Sequence, residues 1–195
     1  MSVPAKAIAF QTAAWCLHYP DQRLYEHADI LGRCLDTVGP WAPAERIQAV
    51  LQHIRADPHA GQHYLEVFDT SPRRGLYLTW FVHGDTRNRG AALAELAGRY
   101  RAHGFEPAQG ELPDYLPAVL EFSARTDARK AGLLTEFRPA LELLHANLGR
   151  FGTPYTEVLA AVLELLPATS GRLPEPPPVE QVGLTAYPIR PGAAL

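Results

Sequence analysis

An all-α fold is what this sequence predicts, and three observations carry the prediction. Apolar residues recur every three or four positions, no stretch alternates apolar and polar as a half-buried strand does, and prolines and glycines stand where helices would start and stop. The first twenty residues, MSVPAKAIAFQTAAWCLHYP, hold an apolar stretch divided by Gln11 and Thr12, which reads as an opening amphipathic helix rather than a signal peptide. Ile47, Val50, Leu51 and Ile54 then share one helical face behind Pro43, a residue suited to a first turn because its missing N–H would be unpaired there. Ala92, Leu93, Leu96, Ala97 and Tyr100 repeat that spacing after Asp85, and His103 with Gly104 supplies a stop from which Phe105 can fold back toward Tyr100. Leu133, Phe137, Leu141, Leu144 and Leu148 form a stripe that passes Pro139, which must kink the element or split it. Thr153 and Pro154 open a last helix burying Val158, Leu159, Val162, Leu163 and Leu166. The count predicted is about seven to nine helices.

The length of 195 residues fits one domain with a tail. Residues 1–166 read as the helical domain. From Pro167 the composition shifts to PATSGRLPEPPPVEQVGLTAYPIRPGAAL, whose clustered prolines favour an extended path, so residues 167–195 read as a proline-rich tail. A net charge of -3 offers no general attraction to nucleic acid, and no apolar run approaches the roughly 20 residues that span a bilayer. Cys16 and Cys34 form no CxxC and are too few for a disulfide framework, which fits a reducing cytoplasm.

Motifs of catalysis are weak. His59 and His63 in HAGQH have the spacing of a helical metal pair but lack the glutamate of HExxH, and Cys16 with His18 finds no further ligand at a recognisable spacing. Neither metal nor catalytic residues are assigned. There is no GxSxG elbow, and HGDTRNRG lacks the GK[ST] of a P-loop. That segment reads as a helix junction in which Gly84 ends one helix in a left-handed turn and Asp85 or Thr86 caps the next, leaving Arg87 and Arg89 to face solvent, pair with acids or bind an anion. In ELPDYLPAVLEF, Asp114 reads either as an N-cap, with Pro117 at the third helical position, or as a ligand-facing acid.

Four words in this order, LHYPD at Leu17 to Asp21, HYLEVFD at residues 63–69, FVHGDTRNRG at residues 81–90 and ELPDYLPAVLEF at residues 111–122, resemble the nitrate reductase molybdenum cofactor assembly chaperones. These are the NarJ family, within the wider TorD-like group of redox-enzyme maturation proteins. The resemblance is close from about Cys16 to about Phe122 and looser through the helices to Leu166. It implies a single-domain TorD-like helical bundle and a cytoplasmic chaperone without catalysis of its own. Its partner would be the N-terminal peptide of the catalytic (alpha) subunit of respiratory nitrate reductase, held so that cofactor insertion precedes membrane docking. The molybdenum cofactor would be handled by that client and not bound stably here, and the chaperone would act as a monomer or weak dimer. Two departures stand out: the aspartate of the family's PDH motif is Asp114 but its histidine is replaced by Tyr115, and the region past Leu166 does not match the longer extension of other members.

A groove that receives an amphipathic helix needs apolar and aromatic anchors. Tyr64, Leu65 and Phe68 have helical spacing, and Leu76, Tyr77, Leu78, Trp80, Phe81 and Val82 cover more than one helical face, an apolar surplus that a core alone does not require. The candidate groove residues are therefore Tyr64, Phe68, Asp69, Leu76, Trp80, Phe81, His83, Asp114, Tyr115 and Glu121. Glu66, Asp69, Asp114 and Glu121 would meet basic residues of a peptide. The alternative is a maturation factor that binds a guanine nucleotide, or the guanine dinucleotide form of the cofactor, through Arg87, Arg89 and the loop at Asp114. A third reading, an enzyme with chemistry hidden in its histidines, rests on no constellation.

Overall fold

The computed structural model describes residues 3–108, 110–126 and 132–168, and the predicted tail lies almost wholly outside them. Within them the chain forms ten α-helices: α1 (Val3–Leu17), α2 (Gln22–Asp36), α3 (Ala42–Ala56), α4 (Ala60–Phe68), α5 (Leu78–His83), α6 (Asn88–Ala102), α7 (Leu116–Arg125), α8 (Leu133–Glu136), α9 (Arg138–Phe151) and α10 (Tyr155–Leu165). The all-α expectation holds, with more helices than the seven to nine expected. Pro139 is one reason, because it divides its stripe and stands in the first turn of α9, after Phe137 has closed α8.

The core is organised around α1. Ala9, Phe10, Ala13, Ala14, Cys16 and Leu17 are all buried, and α7, α10, α3 and α2 surround the helix. This corrects the amphipathic reading: none of its residues from Ala5 to Leu17 is classed as exposed, as befits a helix apolar all round. Small residues at positions 5, 9 and 13 let neighbouring backbones approach, and each fully buried Leu or Phe contributes about 1.5–3 kcal/mol. Burial pushes the Cys16 thiol up to about 12, so it serves as a small apolar residue.

Local stop signals act as the sequence predicts. Gly104 takes φ +77 and the Phe105 N–H returns to the Tyr100 carbonyl at 3.0 Å, while the Phe105 ring meets Phe122 at 5.5 Å. Thr153 begins the turn into α10 as expected, and Gly152, which the sequence reading did not single out, ends α9 in the left-handed region.

The 81–90 junction differs from its reading. Gly84 has φ 58 and ψ -146, a region open essentially to glycine alone but outside the left-handed helical well. The next helix starts at Asn88, later than either proposed cap, and Arg87 stands at its N-cap without a side-chain bond.

Candidate functional site

Two segments far apart in sequence meet at the site. Leu78 N–H donates to the Asp114 carbonyl at 3.0 Å and Leu116 N–H to the Leu76 carbonyl at 2.8 Å, so the entries to α5 and α7 run antiparallel and pair Tyr77 with Tyr115. Asp114 locks this pairing. Its carboxylate, fully buried, accepts from the Thr79 N–H at 3.1 Å and from the Thr79 hydroxyl. It thereby satisfies an orphan donor in the first turn of α5, where Tyr77 at the N-cap offers no side-chain bond. Arg89 closes the knot, with Nη2 3.7 Å from the Asp114 carboxylate and Nε donating to the Thr79 hydroxyl at 3.2 Å.

The N-cap reading of Asp114 is therefore corrected. Tyr115 stands at the N-cap of α7 and Pro117 falls within its first two positions, not at the third. Asp114 caps a helix 35 residues upstream instead, which no local pattern announces.

In front of this knot opens a cleft of about 550 Å³, lined from α4 by Tyr64, Leu65, Phe68 and Asp69 and from the bridge by Leu76, Tyr77 and Tyr115. The turn between α1 and α2 adds His18, Tyr19 and Asp21, the first turn of α2 adds Arg23, and the segment before α7 adds Ala108, Gly110, Glu111 and Leu112. The LHYPD word explains the turn: α1 ends before Pro20, and Asp21 caps α2 by accepting from Leu24 N–H at 3.3 Å. His18 and Tyr19 are thereby held between two helices and stand at the cleft.

Hydroxyls and rings make the cleft's chemistry. The Tyr64 hydroxyl donates to the Leu17 carbonyl at 3.0 Å and lies 3.2 Å from the Tyr115 hydroxyl. Burial pushes the Tyr115 hydroxyl up to about 12 and that of Tyr64 further, so both stay neutral near pH 7. Tyr64 also touches Phe68 at 4.8 Å and Tyr19 edge-on at 5.5 Å. Above this floor, Tyr19, Leu65, Tyr77 and Leu112 remain about 40–50% exposed, an apolar mouth beside the carboxylates of Asp69 and Glu111. Such a surface offers van der Waals anchoring, neutral hydrogen bonds and a negative rim.

Of the residues singled out from sequence, Tyr64, Phe68, Asp69, Leu76 and Tyr115 come together here. The others stand elsewhere. Phe81 is core, and Trp80 packs edge-on against it at 5.3 Å. His83 ends α5 away from the cleft lining, and Asp114 is behind the wall. The apolar surplus at residues 76–82 is divided by a short helix that buries Leu78 and Phe81 and turns Val82 to solvent. Glu121 lines a neighbouring cleft of about 220 Å³ that shares Ala108 and Glu111 with the first. The His18 imidazole, whose Nε2 is 3.7 Å from Oε1, holds the Glu121 carboxyl below its usual range.

The arginine pair is split. Arg89 is occupied by Asp114 and Thr79, with Asp85 at 3.9 Å, whereas Arg87 is exposed. His59 and His63 are also not a matched helical pair. His59 precedes α4, and His63 bonds Thr153 at 2.9 Å and stacks on Tyr155. Among the described residues no cluster of three His, Cys, Asp or Glu could hold a metal, and no helix is long and apolar enough to cross a membrane. Sequence reasoning missed His18, Tyr19, Arg23 and Leu112 as lining. LHYPD was the available signal for the first two.

Comparison with known proteins decides the family. The model of the nitrate reductase delta subunit family matches residues 41–161, which include the knot and the cleft lining other than His18, Tyr19, Asp21 and Arg23. The chain belongs to this family. It is similar to the nitrate reductase-like protein NarX of Mycobacterium tuberculosis, 39% identical over 158 residues, covering 80% of this chain and 24% of that protein. It is also similar to the nitrate reductase molybdenum cofactor assembly chaperone NarJ of Escherichia coli K12, 32% identical over 155 residues, covering 76% of this chain and 65% of that protein. The chain thus spans about a quarter of the mycobacterial relative and about two thirds of the E. coli one. Among solved structures, a candidate redox enzyme maturation protein from Archaeoglobus fulgidus superposes with a TM-score of 0.59 at 18% identity, covering 82% of this chain and 92% of that one. At that identity the likeness concerns the fold, a single all-helical domain as expected from the sequence.

Proposed function

We propose that this chain is an assembly chaperone for respiratory nitrate reductase. In this reading it binds the N-terminal segment of the catalytic subunit in the cytoplasm and keeps it open until the molybdenum cofactor has entered and membrane assembly can begin. The cofactor belongs to the client, and no chemistry is assigned to the chaperone. The observation that carries the reading is the cleft: an aromatic floor of neutral hydroxyls under an exposed apolar mouth, with Asp69 and Glu111 at its edge. An amphipathic helix laid there would bury its apolar face on Leu65, Tyr77 and Leu112, and a basic residue on its flank would meet the rim carboxylates. Several anchors of this kind give micromolar to nanomolar affinity, about -8 to -12 kcal/mol, after the ordering of the peptide is subtracted. That strength permits release once the client folds around its cofactor.

Titration calorimetry with a synthetic peptide of the cognate catalytic subunit's N-terminal segment tests this. Binding at micromolar concentration or below is expected; an absence of heat at high micromolar concentration, together with failure of the full subunit to co-purify, overturns it.

A further inference from the structure

Gly61 and Tyr19 form a contact that none of the family words explains. A methyl group built on Gly61 would lie 2.7 Å from the Tyr19 hydroxyl oxygen and 3.3 Å from the ring carbon that bears it. The Tyr19 ring is thus seated over the first turn of α4, in a notch that any Cβ would fill. It also meets the edge of Tyr64 at 5.5 Å, and it remains 47% exposed at the mouth of the cleft.

Helix geometry sharpens this. Gly61, Leu65 and Phe68 follow one another at i, i+4 and i+7 on α4, and the last two line the cleft. Tyr19 occupies the first position of that stripe in place of a side chain from α4 itself. Glycine is a poor choice for the first turn of a nine-residue helix on propensity alone, and its φ is not in the region that demands glycine. The requirement lies in the seat.

We infer that Gly61 is a specificity-determining position: by leaving room for Tyr19 it sets the end wall of the cleft, and so the size of the anchor that the α4 side of the cleft accepts. This rests on the reading of the cleft as a peptide site. With a side chain at 61, the Tyr19 ring must swing about its own side-chain torsions. The α1–α2 turn is not obliged to move, because the colliding atom is the far end of that ring.

The test is a double-mutant cycle with Gly61→Ala, Tyr19→Ala and both changes, read by fluorescence anisotropy of a labelled synthetic N-terminal peptide of the cognate catalytic subunit. Gly61→Ala is expected to weaken binding about five- to tenfold while its urea midpoint stays level or rises, since alanine favours the helix. In the Tyr19→Ala background the same change is expected to leave affinity within about twofold. Wild-type affinity in Gly61→Ala, or an undiminished loss in the Tyr19→Ala background, overturns the inference. A readout without peptide keeps it separate from the function reading: nuclear Overhauser contacts between the Tyr19 ring protons and the Gly61 α-protons are expected in the wild-type chain. Their absence overturns the seat whether or not the peptide binds, whereas failure of the peptide to bind a protein that shows them overturns the peptide reading.

Discussion

The wall of the cleft and its mouth are built by opposite means. Behind the wall, Asp114, Thr79 and Arg89 form a buried polar knot in which a carboxylate with no exposed surface joins the entry of one helix to that of another. At the mouth, Tyr19, Leu65, Tyr77 and Leu112 present exposed apolar surface with little holding them but ring contacts and backbone position. The distinctive sequence words, HGDTRNRG and PDY, encode mainly the knot. They therefore describe how the site is held up more than what touches a ligand.

The largest expected effect breaks the knot. Asp114→Ala strands an orphan N–H in α5, the Thr79 hydroxyl and the Arg89 charge, and is expected to cost about 2–4 kcal/mol in urea unfolding. Asp114→Asn keeps an acceptor and is expected to lose less than half of that. Equal losses in the two variants would mean that the carboxylate's charge, not its bonding to Thr79, holds the wall.

Arg89 and Arg87 separate the two regions next. Arg89→Ala is expected to destabilise by about 1–2 kcal/mol, discounted because the guanidinium is partly solvated, whereas Arg87→Ala stays within about 0.5 kcal/mol. Matching losses would contradict the split between the two arginines. At the mouth the pattern should reverse: Leu65→Ser with Leu112→Ser is expected to weaken peptide binding about tenfold or more, with stability changed by about 0.5 kcal/mol or less.

Tyr64 lies between the two, since its hydroxyl ties the end of α1 to the cleft floor. Tyr64→Phe is expected to cost about 1 kcal/mol in the same unfolding assay. The smallest effect is a pH dependence. Glu121's carboxyl, held down by His18, contributes stability above its unfolded value of about 4.3 that is lost as pH falls through the lower folded value. Glu121→Gln is expected to flatten the acid limb of stability against pH by a few tenths of a kcal/mol, because both side chains are about one third exposed.

Much of the fold was legible in the sequence because helix periodicity and helix boundaries are local. Pro43, Gly104, Pro139 and Thr153 act within a few residues of where they stand, so their readings survive in the structure. The errors are equally instructive. The opening helix looked amphipathic because Gln11, Thr12 and Lys6 interrupt its apolar residues, yet Thr12 bonds back to the Ile8 carbonyl and Lys6 reaches the Leu165 carbonyl, so both are absorbed by the core's edge. Asp114 looked like a local cap because an aspartate before a helix is usually one.

About half of the candidate groove residues reach the cleft, and the division follows the same physics. Tyr64 and Phe68 lie one turn apart on α4, where spacing alone sets a common side, and Asp69 follows at its C-cap. By contrast, whether Leu76 and Tyr115 face the cleft while Phe81 and Asp114 face the core depends on the bridge between the entries to α5 and α7.

By itself, the sequence determined the all-helical class, several of its helix ends and, through four ordered words, the family. Only the tertiary structure decided which residues are wall and which are mouth. The contacts that decide it join Thr79 to Asp114 across 35 positions, Tyr64 to Leu17 across 47 and Tyr64 to Tyr115 across 51. No periodicity reports a bond between side chains so far apart; it exists only once packing has brought the helices together and excluded the water that would otherwise satisfy those groups.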